Sequence, residues 1–333
     1  LIATDFERSA FSCRVTDTES YFCRKEQSLC GGQIGMEYNG QYILEVKDLT
    51  KTYPNSQFHL DKVSFAVPYG VIMGFVGENG AGKTTTIGCI LNALKKDNGI
   101  IRIFGKEMSD DSTEMREQIG VVYDAGNFFG SLTPKNLSGI MGGIYKQWDS
   151  TVFKKHLDTF KLPENQKIGT FSKGMTMKLA LSVALSHSPK LLVLDEVTSG
   201  LDPIVREDVL NIFLDFIKDK TRSVFISSHI TSDLEKVADY ITFIHNGKIL
   251  LTESKNNLMF QYGVLRCKHL QFEQVDKKDI LAFIKRDYQV DALVADKKTM
   301  QQKYKNMVVD NVSIDEILLF LVKGGSKYER TAS

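Results

Sequence analysis

The eight residues "GENGAGKT", Gly77 to Thr84, place two glycines, a lysine and a threonine at the G-x-x-x-x-G-K-[ST] spacing of a phosphate-binding loop. Such a loop folds its backbone N–H groups inward around phosphate oxygens, here those of Gly77, Glu78, Asn79, Gly80, Ala81 and Gly82, with Thr85 following in the helix. Lys83 then reaches the β- and γ-phosphates of a nucleoside triphosphate, and Thr84 offers a hydroxyl to Mg²⁺. A second stretch, "LLVLDE" at Leu191 to Glu196, ends an apolar run in two adjacent carboxylates. Asp195 suits a hydrated Mg²⁺, and Glu196 suits orientation and deprotonation of an attacking water. A third, "SSH", ends another apolar run in His229, which can stand beside the γ-phosphate. A fourth, "TFSKGM" at Thr170 to Met175, heads an apolar helix. Ser172 there is either a plain helix cap or part of an anion site at the helix N-terminus.

The elements around these residues have the required order. "VIMGFV" before the loop is a continuous apolar run, as expected of a buried strand, and "TTTIGCILNAL" after it reads as a helix. "KLLVLDE" and "SVFISSH" each follow a helical segment, so strand and helix alternate as in a parallel α/β core. Upstream, "YILEVKDLTKTY" and "FHLDKVSFAVPYG" alternate as in an antiparallel sheet. Residues 125–187 are helical in pattern. Downstream, Asn246-Gly247 between apolar runs signals a hairpin. Farther on, "KKDILAFIKRD" reads as an amphipathic helix, and "SIDEILLFLVKGG" as a helix opened by a Ser313/Glu316 capping box and stopped at Gly324.

The chain has 333 residues, 42% of them hydrophobic, enough for a proper core. Forty-two basic against forty-one acidic residues leave a formal charge of +1, so no electrostatic footprint for nucleic acid is present. No apolar run approaches the roughly 18–20 residues that cross a bilayer. The five cysteines, Cys13, Cys23, Cys30, Cys89 and Cys267, have neither metal-ligand spacing nor the arrangement of a disulfide framework, which points to a reducing compartment. Residues 1–35 lack an apolar period and read as an added leader rather than a native extension, with Met36 as a natural start.

Taken together, the motifs resemble the nucleotide-binding subunit of ATP-binding cassette (ABC) transporters over about Tyr42 to Thr252. The ordered matches are "KTYPN", "GENGAGKTTT", a degenerate signature "FSKGM", the acid pair, "SGLD" at Ser199 to Asp202, and His229. The resemblance implies an α/β P-loop NTPase cassette with a parallel-sheet core, an N-terminal antiparallel β subdomain, a helical signature subdomain and a small α/β C-terminal appendage. The implied boundaries are 42–255 for the ATPase, 256–325 for the accessory domain and 326–333 for a tail. It also implies that Tyr53 stacks on adenine, and that Ser172 and Gly174 grip the γ-phosphate of ATP held by a facing subunit. That subunit is a second copy or a paralogue, arranged head to tail. Lys173, Phe171 and Met175 depart from the usual L-S-G-G-Q signature. Asp124 stands where the family has a glutamine, as a metal ligand or a surface turn residue.

The likeness is greatest to small bacterial exporters of the bacitracin-resistance type. It implies an ATPase using ATP and Mg²⁺, peripheral on the cytoplasmic face of the membrane, that drives a separate integral permease carrying an antibiotic, peptide or lipid. Alternatives are a soluble ABC ATPase of DNA repair or translation, or a regulatory module. Repair members carry long coiled-coil insertions and translational members two cassettes, which this chain lacks. The intact Lys83, Asp195, Glu196 and His229 oppose a regulatory module.

Overall fold

A computed structural model of the chain describes residues 41–54, 56–123 and 128–326, which belong to one compact unit. The expected leader over 1–35 and the Asp124 position lie outside the described residues. The described part begins with β1 (Tyr42–Thr52) and β2 (His59–Pro68), paired antiparallel as their alternation requires. The buried β3 (Ile72–Val76) follows, then the P-loop and α1 (Lys83–Ile90). α1 closes sooner than the run to Leu94 suggests, and Asn92 beyond it has a positive φ of 55°. β4 (Asn98–Ile103) and β5 (Lys106–Glu107) complete a four-stranded sheet in the order β2-β1-β4-β5.

β6 (Ile119–Val122) leads into three helices, α2 (Pro134–Ile144), α3 (Ser150–Thr159) and α4 (Lys173–Leu185). They enclose a small apolar cluster that includes Leu137, Phe153, Leu157 and Leu179. The chain continues through β7 (Leu191–Asp195), α5 (Pro203–Phe216), β8 (Ser223–Ser228), α6 (Thr231–Val237), β9 (Tyr240–His245) and β10 (Lys248–Ser254). These strands form a second sheet in the order β10-β9-β3-β8-β7-β6, with β6, β7, β8, β3 and β9 parallel.

Burial on both faces explains why the central strands are apolar throughout. Ile72 and Val76 of β3, Leu192 and Leu194 of β7, and Val224 and Ile226 of β8 join one cluster with α4, α5 and α6. Met73 and Phe75, Leu191 and Val193, and Phe225 join the other, with α1 and the antiparallel sheet. Phe65, Phe75 and Phe225 meet there with ring centroids 5.3 Å apart.

The remainder adds α7 (Lys255–Phe260), β11 (Gly263–Cys267), β12 (Ala282–Lys285), β13 (Val290–Val294), α8 (Lys297–Lys303), β14 (Val308–Asp310), α9 (Ile314–Lys323) and β15 (Gly325–Ser326). Its antiparallel sheet runs β14-β11-β13-β12-β15. The amphipathic helix expected at "KKDILAFIKRD" is corrected: a 3₁₀ turn over Lys277–Asp279 precedes the strand β12. Ala282 and Ile284 face one apolar cluster and Ile280 and Phe283 another, so pairing with β13 overrides the helical spacing. The capping box at Ser313/Glu316 forms, and the helix ends at Gly324 in extended backbone.

Candidate functional site

β3, β8 and β7 are neighbours in the parallel sheet, so the loops at their carboxyl ends converge. In open α/β sheets ligands bind beyond these ends. The loop after β3 is the 77–84 turn. Gly80 and Gly82 take positive φ of 83° and 114°, a conformation that a β-carbon disfavours. Gly82 starts α1 without a side-chain cap, and no acidic residue occupies the first turn, which leaves that helix end open to an anion. Lys83 is buried and its ammonium donates to the carbonyls of Gly77 (2.8 Å) and Glu78 (3.2 Å).

The hairpin expected at Asn246-Gly247 joins β9 to β10 and braces this loop from outside. Gly247 N–H donates to Ala81 O at 2.9 Å, while Gly247 O accepts from Asp61 N–H at 2.9 Å. A β-carbon on Gly247 would collide with the His59 carbonyl, so the contact requires glycine.

At the end of β7, Asp195 is 6% exposed and both its oxygens are held. Thr84 Oγ1 donates to Oδ2 at 2.8 Å, and Ser227 Oγ donates to Oδ1 at 2.5 Å. Ser227, fully buried, also accepts from the Glu196 backbone N–H at 3.2 Å. Glu196 itself has φ of 54°, a strained conformation for a side chain of its size. Its Oε2 accepts from His229 Nδ1 at 2.6 Å, and its Oε1 lies 3.1 Å from Lys83 Nζ. That ion pair lacks hydrogen-bond alignment, so Oε1 is a buried acceptor without a hydrogen bond among the described residues. An oxygen so placed can receive a water proton.

Lys83, Thr84, Asp195, Glu196 and His229 are therefore brought together. Tyr53 stands apart, its ring 6.4 Å from that of Phe58 and 5.5 Å from the Lys51 ammonium. Phe58 in turn packs beside Gly82. Ser172 caps α4 by accepting from Met175 N–H at 3.2 Å, and Gly174 packs against Val205 of α5. Among the described residues no hydrogen bond or ion pair joins Ser172 or Gly174 to the 77–84 loop. Lys173 extends its ammonium to Gly200 of the "SGLD" turn, and Ser199 N–H of that turn donates to Glu196 O at 3.1 Å. Sequence reading overlooked Ser227. Its signal was a polar residue inside a continuous apolar strand, directly across from Asp195 in the β7–β8 register.

Oxygen donors and no sulfur or imidazole ligand suit magnesium at Thr84 and Asp195. Among the described residues no group of three or more His, Cys, Asp or Glu could hold a metal. Among the described residues no helix is long and apolar enough to cross a membrane.

The family model for ABC transporters matches residues 60–199. The chain is 34% identical over 254 residues to the bacitracin transport ATP-binding protein BcrA of Bacillus licheniformis, covering 74% of this chain and 80% of that one. It is 32% identical to the lantibiotic transport ATP-binding protein SrtF of Streptococcus pyogenes, covering 63% and 90%. A solved ATP-binding subunit of an ABC transporter superposes with a TM-score of 0.59 at 27% identity, covering 65% of this chain and 91% of that one. On these grounds the chain belongs to the ABC transporter family, as one of its ATP-binding, ATP-hydrolysing cassettes.

Proposed function

We propose that the chain powers an exporter of antibiotic, peptide or lipid type, working as a head-to-tail pair of ATPase subunits beneath a separate integral permease at the inner face of the membrane. The names of the bacitracin and lantibiotic relatives support the exporter class. The ATPase core takes 42–255, with its helical part over 125–187, and the accessory domain takes 256–325.

The observation that carries the reading is Glu196 held between His229 and Lys83, beside the Thr84–Asp195 pair. In the proposed mechanism, triphosphate enters the 77–84 loop and Lys83 leaves the Gly77 and Glu78 carbonyls for the β- and γ-phosphate oxygens. Glu196 accepts the proton of the attacking water as its oxygen bonds to the γ-phosphorus and the bond to ADP breaks. His229 fixes the Glu196 carboxylate and faces the γ-phosphate. Thr84 and Asp195, with Asp124 as a further oxygen ligand, would hold a magnesium ion, which would supply positive charge against the phosphates. Tyr53 stacks on the adenine. Ser172 and Gly174 complete the other subunit's pocket, which accounts for their separation from the loop in the single chain.

Purification from native membranes tests the assignment. A co-purifying multi-helix integral protein is expected, whereas ribosomal or DNA-repair partners would overturn the transport reading.

A further inference from the structure

α6 begins two residues beyond His229 and has only seven residues, too few to hold its place without packing. Ile230 gives it no side-chain cap. α5 supports one side through Lys236–Glu207 at 2.7 Å and Arg206–Asp233 at 3.8 Å. Leu234 packs on Gly74 of β3, and the accessory segment gives further support. Thr231, 3% exposed, donates its hydroxyl to Asp315 Oδ1 of α9 at 2.6 Å. Ile314 N–H, at the start of α9, donates to Glu235 Oε1 at 3.3 Å. Ile314, Ile317 and Phe320 share one buried cluster with Leu234, Val237 and Ala238 around α6. The capping box fixes this end of α9, with Ser313 N–H donating to Glu316 Oε2 at 3.0 Å and Glu316 N–H donating to Ser313 Oγ at 3.2 Å.

We infer that the accessory segment is a control element for hydrolysis, in which Asp315 acts through Thr231 to position His229 against Glu196. The inference rests on the reading of Glu196 and His229 as the hydrolytic pair. Asp315 touches no reacting atom. It pins the first residue of α6, so a shift of α9 moves the turn that carries His229. The accessory segment thereby gains influence over turnover without entering the nucleotide pocket.

The test uses the full chain. Asp315→Ala and Thr231→Val each remove one hydrogen bond, so kcat is expected to fall about three- to tenfold, with KM for ATP within twofold. Both are expected to move the His229 imidazole resonance, assigned by its loss in His229→Ala. Asp315→Asn, which keeps an acceptor oxygen, should recover both. Melting temperature reports folding, and Asp315 is exposed enough for its variants to fold. A kcat within twofold of wild type in both Asp315→Ala and Thr231→Val, or a fall in kcat with the His229 resonance unmoved, would overturn the inference. Glu196→Gln separates the two levels. If it still hydrolyses ATP at the wild-type rate, the reading of the pair is wrong; if it does not, failure of the Asp315 variants condemns the α9 link alone.

Discussion

Glu196 combines a strained φ with partners of both kinds, an imidazole on one oxygen and an ammonium near the other. Ser227 makes that arrangement possible, because one hydroxyl serves Asp195 Oδ1 and the Glu196 N–H together. Ser227→Ala leaves a buried carboxylate oxygen without its donor, a loss on the order of 1–3 kcal/mol. Hydrolysis should fall about tenfold and half-saturation by Mg²⁺ should rise, while nucleotide binding without Mg²⁺ stays within twofold. Unchanged Mg²⁺ dependence would count against it. Lys83, Thr84, Asp195, Glu196 and His229 were legible from residue type and spacing, because a phosphate loop and an acid pair use short contiguous stretches. Ser227 was not, since its partner lies across a strand pair at Asp195, and register is invisible in a linear motif. The burial of Cys89 in the last turn of α1 is also a matter of packing, and it pushes that thiol up to about 11.

The strands that deliver the site were readable because β3, β7 and β8 are apolar without interruption, as two-sided burial demands. The same property concealed β12, whose contiguous apolar residues also fit a helical stripe until pairing with β13 decided. α4 is anchored to the core at the end opposite the signature. His187, two residues beyond α4, is 1% exposed, stacks on Tyr145 at 4.1 Å and has Nδ1 2.9 Å from Glu117 O. Burial lowers its pKa below the ordinary imidazole value of 6.5, with the backbone contact to Glu117 opposing in part. The unfolded chain therefore binds this proton more readily than the folded one. The stabilisation present above pH 6.5 is lost as pH falls through the lowered value. Melting temperatures of wild type and His187→Gln should differ most above pH 6.5 and converge as pH falls below it. A pH-independent gap would show that His187 does not titrate on unfolding.

Across the whole molecule, one parallel sheet sets the nucleotide machinery at its strand ends, and the accessory sheet packs its last helix against the element that follows His229. Among the described residues Ser172 and Gly174 have no hydrogen bond or ion pair to the P-loop, as the proposed pairing expects. Mixing Lys83→Ala with Ser172→Arg subunits should leave one pocket with both defects and one intact. Single-turnover amplitude in purified mixed dimers should then recover toward half that of wild type, whereas dimers no more active than either parent would rule out shared pockets. The more basic claim is that Glu196 activates the water. MgATP binding and single-turnover hydrolysis, measured on the same preparation of Glu196→Gln, test it most directly. Affinity should persist while the rate falls by about 10²–10⁴, the usual contribution of a general base. Hydrolysis within threefold of wild type would contradict the account.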